Sequence, residues 1–598
     1  MKKIITDILL GAYRVLHTAF MIIILGVIAV ILTAAVFVSK LTAKESVKLG
    51  RAHYLVIEID GYLLEQRRAE FLSSALLNEH YARDIAAVLE ASATDDRIKA
   101  VVFDLRLFKG ATSGAVNTVL DAVEEYKESG KKLYSYAGGF RTGSYWLSSL
   151  ADEIWLDPLG SVAIDGIALQ NLYFKSALDR YGLTAYVSRA GLYKSAVEPL
   201  LADSMSEASR EVNRAFIADF WAFLRETLMK NRNISGTLFD RYVNERPELL
   251  LQNGGNGALL ASEYKLIEFS APYNDFKTAL VEKNRDDDGE PTALYYKNYL
   301  ERAYEMLAAR IKKRSGSVAV IYAEGMITGE EQRVGIISGR AYAELVTAAA
   351  DDDAVGAIVI RLNSGGGDVE ASETIYRAIT AAKEKKPVLI SMSDVAASGA
   401  YWLSLAASEI WAEPTTLTGS IGVFSYFVSA HQFLTDHGVY TDGVATTPQA
   451  YGLSAVTVPT PEALSLMQSG VNFVYGEFLK HLVEAGRSAS PAAADAVAQG
   501  RIYSSARARE LNLVDSIGTL KAVVKRAAEL AEITDNYTVE AIEPAQSRLM
   551  SYLERILVGN VSVAVPAFAL PAQLRRAMPV AAVPDGRVMA VEPLQPLF

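Results

Sequence analysis

Two short stretches hold side chains that could form and break covalent bonds. Ala396-Ala397-Ser398-Gly399-Ala400 sets a serine among small neighbours at the end of an apolar run. Small neighbours let a hydroxyl stand accessible at a tight strand-to-helix turn, although the same placement also suits a helix N-cap. The stretch is not Gly-x-Ser-x-Gly, so it is not the nucleophile elbow of the α/β hydrolases. A serine nucleophile needs a base, and no histidine stands in a comparable motif. A lysine can serve if burial and neighbours bring its pKa down until a neutral amine exists. The candidate is Lys194, in Gly191-Leu192-Tyr193-Lys194-Ser195-Ala196-Val197-Glu198-Pro199. On spacing alone it would be an ordinary solvated lysine.

A repeat raises both residues above that background. Gly143-Ser144-Tyr145-Trp146-Leu147-Ser148 and Asp152-Glu153-Ile154-Trp155 return as Gly399-Ala400-Tyr401-Trp402-Leu403-Ser404 and Ser408-Glu409-Ile410-Trp411. The offset is about 256 residues, the size of a whole domain rather than of a solenoid unit. Where the second half has Ser398, the first has Thr142. Where the first has Lys194, the second has Leu453, in Tyr451-Gly452-Leu453-Ser454-Ala455. Each half has lost what the other keeps, as expected if the two halves together make one site.

Two further motifs belong to the second half. Asn363-Ser364-Gly365-Gly366-Gly367-Asp368 lies between a predicted strand and a predicted helix. Its glycines let backbone N–H groups approach negative charge, which suits a phosphate or a developing oxyanion. No Gly-Lys-Ser/Thr follows, so it is not a P-loop, and it makes a poor dinucleotide fingerprint. The first half has Leu107-Phe108-Lys109-Gly110 there. The other motif, Leu417-Thr418-Gly419-Ser420-Ile421-Gly422, has a counterpart running through Ala163-Ile164-Asp165-Gly166.

The elements that must position these residues alternate. His53 to Gly61 matches Ser317 to Gly325 as a first strand, and residues 100–105 match 357–362 as a second. Residues 133–136 and 388–392 give a third. Short continuous Val- and Ile-rich runs suit strands covered on both faces. Val369, Ser372, Ile375, Ile379 and Ala382 keep helical spacing between the second and third strands. The pattern predicts an α/β fold with right-handed crossovers and mostly parallel sheets. Longer helices are expected over 207–231, 461–487 and 293–313.

Composition sets the outer bounds. The 598 residues are 51% hydrophobic and 22% charged, enough for two to four folded domains. A net charge of −11 argues against a nucleic-acid partner. With no cysteine, disulfides and thiolate chemistry are excluded. His431 and His437 lie near Asp436 but lack a third ligand, and no metal or cofactor is expected. Residues 19–38 carry no charge and are long enough to span a bilayer as a helix. Lys2, Lys3 and Arg14 on one side and Lys40, Lys44, Lys48 and Arg51 on the other leave the orientation open.

Gly191 to Pro199, Asn363 to Gly367, Ala396 to Trp402 and Leu417 to Gly422, in that order, resemble the signal peptide peptidase A family in its long, tandem-repeat bacterial form. Gln499-Gly500-Arg501-Ile502-Tyr503 and Leu513 to Gly518 fit it too. Asn363-Ser364-Gly365-Gly366-Gly367 departs in one place: the family often has proline where Gly365 stands. The resemblance implies tandem crotonase-like domains related to the Clp protease fold. It implies a serine endopeptidase with Ser398 as nucleophile, Lys194 as general base, Ser420 orienting the lysine, and the N–H groups of Gly366 and Gly399 as oxyanion hole. It further implies remnant signal peptides as substrates, a homo-oligomer, tetrameric in long forms, and a single-pass anchor in the bacterial inner membrane with the catalytic part on the periplasmic side. The expected divisions are a tail over 1–15, a transmembrane helix over 16–39, a first repeat over 52–283, a linker and connecting helix over 284–315, a second repeat over 316–535 and an extension over 536–598. Two other readings share these residues: a crotonase-type enzyme acting on acyl-thioesters, and a catalytically silent membrane scaffold.

Overall fold

The computed structural model describes residues 53–66, 78–285, 289–310, 316–330, 332–534, 537–543 and 589–591. In the first half, His53–Glu58 (β1), Ile98–Asp104 (β2), Lys132–Ala137 (β3) and Glu153–Leu156 (β4) are short and largely buried. Thr184–Ala190 (β5) leaves this layer, and Phe269–Ser270 (β6) and Thr292–Tyr295 (β7) close its edges. The six strands run β6-β4-β3-β2-β1-β7, parallel throughout. Apolar side chains on both faces explain the parallel choice, because helices cover each face.

The second half repeats the layer. Ser317–Glu324 (β8), Val355–Ser364 (β9), Gly366–Asp368 (β10), Val388–Ala397 (β11), Glu409–Ala412 (β12), Leu417–Gly419 (β13), Val423–Ser429 (β14), Ile502–Ser504 (β15), Ser516–Ile517 (β16) and Thr538–Ile542 (β17) follow in order. The order β16-β12-β11-β9-β8-β17 reproduces the first sheet, with β13 and β15 added beyond the far end of β11. The duplication extends to single hydrogen bonds. Tyr145 Oη donates to the Leu266 carbonyl and Tyr401 Oη to the Leu513 carbonyl, each at 2.8 Å. Glu268 accepts from the Ile154 N–H and Asp515 from the Ile410 N–H, and Arg232 and Arg487 pair with those carboxylates.

A further sheet stitches the halves together. β5 pairs antiparallel with β14 from Thr184 opposite Ser429 to Ala190 opposite Val423. Met589–Val591 (β18) lies between β14 and β10, antiparallel to both. The described residues fall in one compact unit, so the repeats are not separate bodies.

The helices that matter for the site are Ser113–Glu128 (α1), Thr142–Ser148 (α2), Glu207–Arg232 (α3), Tyr296–Arg310 (α4), Val369–Lys383 (α5), Gly399–Ser404 (α6) and Pro461–Glu484 (α7). On α5, Ser372, Ile375, Ile379 and Ala382 are buried, as their spacing predicts. The stretch 293–313 differs from its expected helix: it opens as β7. There Leu294 is buried and the backbone takes the open edge of β1, His53 facing Thr292. Residues 292–310 therefore pack onto the first half, where α4 buries Tyr296, Tyr299 and Ala303. In the same way β17 closes the second sheet beside β8, beyond the expected boundary at 535. The expected tail and transmembrane helix, residues 1–39, lie outside the described residues, as does most of 536–598. Among the described residues no helix is long and apolar enough to cross a membrane.

Candidate active site

Ser398 stands where β11 ends and α6 begins. Its backbone has φ 58° and ψ −118°, a conformation that costs a residue with a side chain roughly 1–3 kcal/mol. The surroundings fix it there: its N–H donates to the Gly419 carbonyl at 2.8 Å, and its carbonyl accepts from Trp402 N–H at 2.8 Å. The turn aims the hydroxyl across the half-to-half boundary. The small Ala396, Ala397 and Ala400 are fully buried around it, so larger side chains would not fit.

Lys194 arrives from the first half, in the loop after β5. Its Nζ donates to Ser398 Oγ at 2.6 Å, to Ser420 Oγ at 2.8 Å and to the Ser420 carbonyl at 2.9 Å. Lys194, Ser398 and Ser420 all have 0% exposure. Ser420, at φ 50°, follows β13, which pairs with the end of β11, so Ser398 and Ser420 share one strand pair. Residues from both repeats thus converge on one buried hydrogen-bond cluster.

Two glycines flank the serine. Gly399 opens α6, so its N–H has no intrahelical acceptor. Gly366 opens β10 at φ 101°, and its N–H donates to Ser364 Oγ at 3.1 Å. That donor is therefore engaged by a rotatable hydroxyl. The glycine loop itself is braced from β11: Asn363 Oδ1 accepts from Val395 N–H at 3.2 Å and Asn363 Nδ2 donates to Asp394 at 3.3 Å.

A buried polar cluster, invisible as a motif, holds β11 against the first half. Arg361 on β9 donates to Glu65 at 2.6 Å and to Glu413 at 2.5 Å. Asn117 on α1 donates to Glu413 at 2.6 Å, and Ser393 on β11 donates to Glu65. At the N-terminus of α1, Ser113 Oγ and Gly114 N–H both donate to Asp394, at 2.7 and 2.8 Å. Burial pushes Glu413 up to about 7, with Arg361 pulling the other way and Glu65 adding to the push. Burial opposes the charge on Arg361, but Glu413 and Glu65 hold its pKa above the arginine range. Two carboxylates share one guanidinium, and a proton on Glu413 relieves their repulsion.

Among the described residues there is no group of His, Asp or Glu arranged to hold a metal. His437 Nδ1 lies 2.7 Å from the Phe433 carbonyl and His431 Nδ1 3.3 Å from the Val456 carbonyl. Sequence reasoning did not find Arg361, Glu65, Glu413, Asn117 or Asp394. Arg361 and Glu65 are 296 positions apart in the chain, and nothing in either local pattern marks the pair.

Comparison with known proteins supplies what geometry alone does not. Peptidase family S49 matches residues 125–268 and 380–534, one stretch in each repeat. The first stretch contains Lys194, and the second Ser398 and Ser420. Protease 4 of Salmonella typhi is 35% identical over 465 residues, covering 77% of this chain and 74% of that protein. Protease 4 of Haemophilus influenzae is 32% identical over 528 residues, covering 86% and 84%. The chloroplastic serine protease SPPA of Arabidopsis thaliana is 26% identical over 533 residues, covering 86% and 74%. A doubled α/β fold, a buried serine in a strained turn and a family match in both repeats lead to one assignment: the chain belongs to peptidase family S49 and is a serine endopeptidase.

Proposed function

We propose that Ser398 and Lys194 are the catalytic dyad of this endopeptidase. The observation that carries the reading is the 2.6 Å contact between Lys194 Nζ and Ser398 Oγ with both side chains wholly buried. Removal from water disfavours the ammonium form, so a neutral amine becomes available as base. Ser420 orients that amine through its hydroxyl and carbonyl. The neutral Nζ takes the Ser398 proton as Oγ attacks the peptide carbonyl. The oxyanion is held by the Gly399 N–H and by the Gly366 N–H, which is freed for the new acceptor when the Ser364 hydroxyl rotates away. Lys194 passes its proton to the leaving amine, and the acyl-enzyme is then hydrolysed by water with the same lysine as base.

In this reading the first repeat supplies the base and the second the nucleophile and oxyanion hole, each on a Clp-like, crotonase-related unit. Residues 19–38 anchor the chain in the cytoplasmic membrane, and the catalytic unit lies on its outer side. The substrates are remnant signal peptides and other unfolded apolar peptides, handled by a ring of copies, tetrameric in long forms.

Purified Ser398→Ala and Lys194→Ala variants test the dyad on an apolar peptide. Each is expected to lose cleavage by about 10⁴-fold or more while remaining folded. Retained cleavage by Lys194→Ala overturns the dyad. Peptide profiling by mass spectrometry tests the substrate class; polar peptides cut as fast as signal-peptide sequences would refute it.

A further inference from the structure

The mechanism leaves unused a turn that touches the lysine from the other half. Gln499, Gly500 and Arg501 precede β15. Tyr193 N–H donates to the Gln499 carbonyl at 2.7 Å, and Leu192 N–H to Gln499 Oε1 at 3.1 Å. Gly500, at φ 74°, lies directly against the lysine: a Cβ there would sit 2.5 Å from Lys194 N and 2.7 Å from its Cα and Cβ. The crowding is against backbone, which cannot swing away as a side-chain tip can. Gly191 is matched to the same turn, since a Cβ on it would fall 2.7 Å from Gln499 C.

Arg501 closes the arrangement. Its guanidinium lies 3.5 Å from the centroid of the Tyr193 ring, donates to Tyr193 Oη, and reaches Glu211 on α3 at 3.0 Å. Its carbonyl accepts from Ser420 N–H at 2.6 Å. One turn therefore grips the backbone that carries the amine and also the residue that orients it. The first half offers a contrast at Gly254, just past the helix Gly236–Gln252. Gly254 has φ 62°, and a Cβ on it would meet nothing within 4 Å.

We propose that the Gln499–Arg501 turn is a positioning device for the base: Gly500 sets how closely Lys194 approaches, and Arg501 locks its register against Ser420 through Tyr193. This rests on the Ser398–Lys194 reading above. The turn touches neither substrate nor the reacting atoms, so it acts on how efficiently Ser398 is deprotonated rather than on peptide binding.

The test uses the full-length protein with Gly500→Ala, Arg501→Ala and Arg501→Lys, alongside Lys194→Ala. Gly254→Ala is the control, because it imposes similar left-handed strain without a neighbour. The readouts are kcat and KM on an apolar peptide, the pH dependence of kcat, and the rate at which a fluorophosphonate labels Ser398. Gly500→Ala is expected to lower kcat about 10²-fold, as a sub-ångström to 1 Å misplacement does, with KM little changed. Its acid limb should move to higher pH, because an amine displaced toward water holds its proton more firmly. Labelling should slow in parallel. Arg501→Ala should lose about tenfold and Arg501→Lys recover most of it, since a cation over the Tyr193 ring remains. Gly254→Ala should match the parent.

A folded Gly500→Ala with parental kcat and acid limb overturns the proposal. So does a kcat loss in which limb and labelling rate stay put, or an equal loss in Gly254→Ala. If Gly500→Ala does not fold, Arg501→Ala decides: a parental profile there overturns the proposal, and a displaced limb rescued by Arg501→Lys supports it. Cleavage by Lys194→Ala would instead locate the failure in the dyad reading.

Discussion

Thr142 and Ser398 occupy the same place in the two repeats, yet their surroundings differ more than their side chains do. Ser398 caps α6 at positive φ and is wholly buried. Thr142 is the first residue inside α2, with ordinary helical backbone, and is half-buried; its Oγ1 accepts from Asp165 N–H at 3.3 Å. The divergence starts upstream. In the second half β11 continues to Ala397, past a shift in its register with β9 around Asp394 and Val395, and Asp394 is held by Ser113, Gly114 and Asn363. In the first half Gly138 and Gly139 bend the chain, and β3 ends at Ala137. A strand that continues to the serine and is pinned at its side chains can sustain a strained turn. One that breaks four residues earlier relaxes. The first half keeps a hydroxyl and lacks the turn that holds Ser398.

Making the halves alike is the most direct way to break this contrast. Lys194→Leu gives the first half the residue that the second has at Leu453, and cleavage should fall about 10⁴-fold or more. Steady-state assay of the folded protein measures it. Next in size is the bracing cluster. Arg361→Met leaves Glu65 and Glu413 buried without their cation and should cost about 3–5 kcal/mol in urea unfolding. Leaving stability intact would show that the cluster does not hold β11.

The same cluster sets a pH dependence. Glu413 titrates at about 7 when folded, above its ordinary value, so the folded state binds the proton more tightly than the unfolded. Its contribution is fully present below the unfolded value and is lost as pH rises through about 7, of the order of 3 kcal/mol in all. Thermal unfolding between about pH 5 and 8 should show the decline, and Glu413→Gln should flatten it. The smallest effect sharpens the contrast most. In a Ser398→Ala background, Thr142→Ser should restore neither cleavage nor fluorophosphonate labelling, because a serine within regular helix lacks the turn. Any labelling at residue 142 would show that the side chain alone was missing.

The parallel sheets and the stripe on α5 were legible because Val, Ile and Leu periodicity encodes them locally. The reciprocal pair was legible for another reason. Two copies of one pattern allow subtraction, and Thr142 and Leu453 stand out against Ser398 and Lys194. What lay beyond reach depends on neighbours far along the chain. The three residues 293–295 before α4 look helical until the open edge of β1 is known, and they belong to β7. Arg361 and Glu65 become partners only when the two repeats face each other. The positive φ of Ser398 is imposed by Gly419 and Trp402 and is not written in Ala-Ala-Ser-Gly.

The turn at Gln499 also fixes a timetable. Leu192, two residues before Lys194, waits for a hydrogen-bond partner 307 positions later in the chain. A ribosome makes the lysine first, then the serine, and only afterwards the turn that clasps the lysine loop. A growing chain that carries Lys194 and Ser398 but ends before Gln499 thus still lacks those contacts. The Lys194 loop is therefore clasped only once nearly all of both repeats has been made.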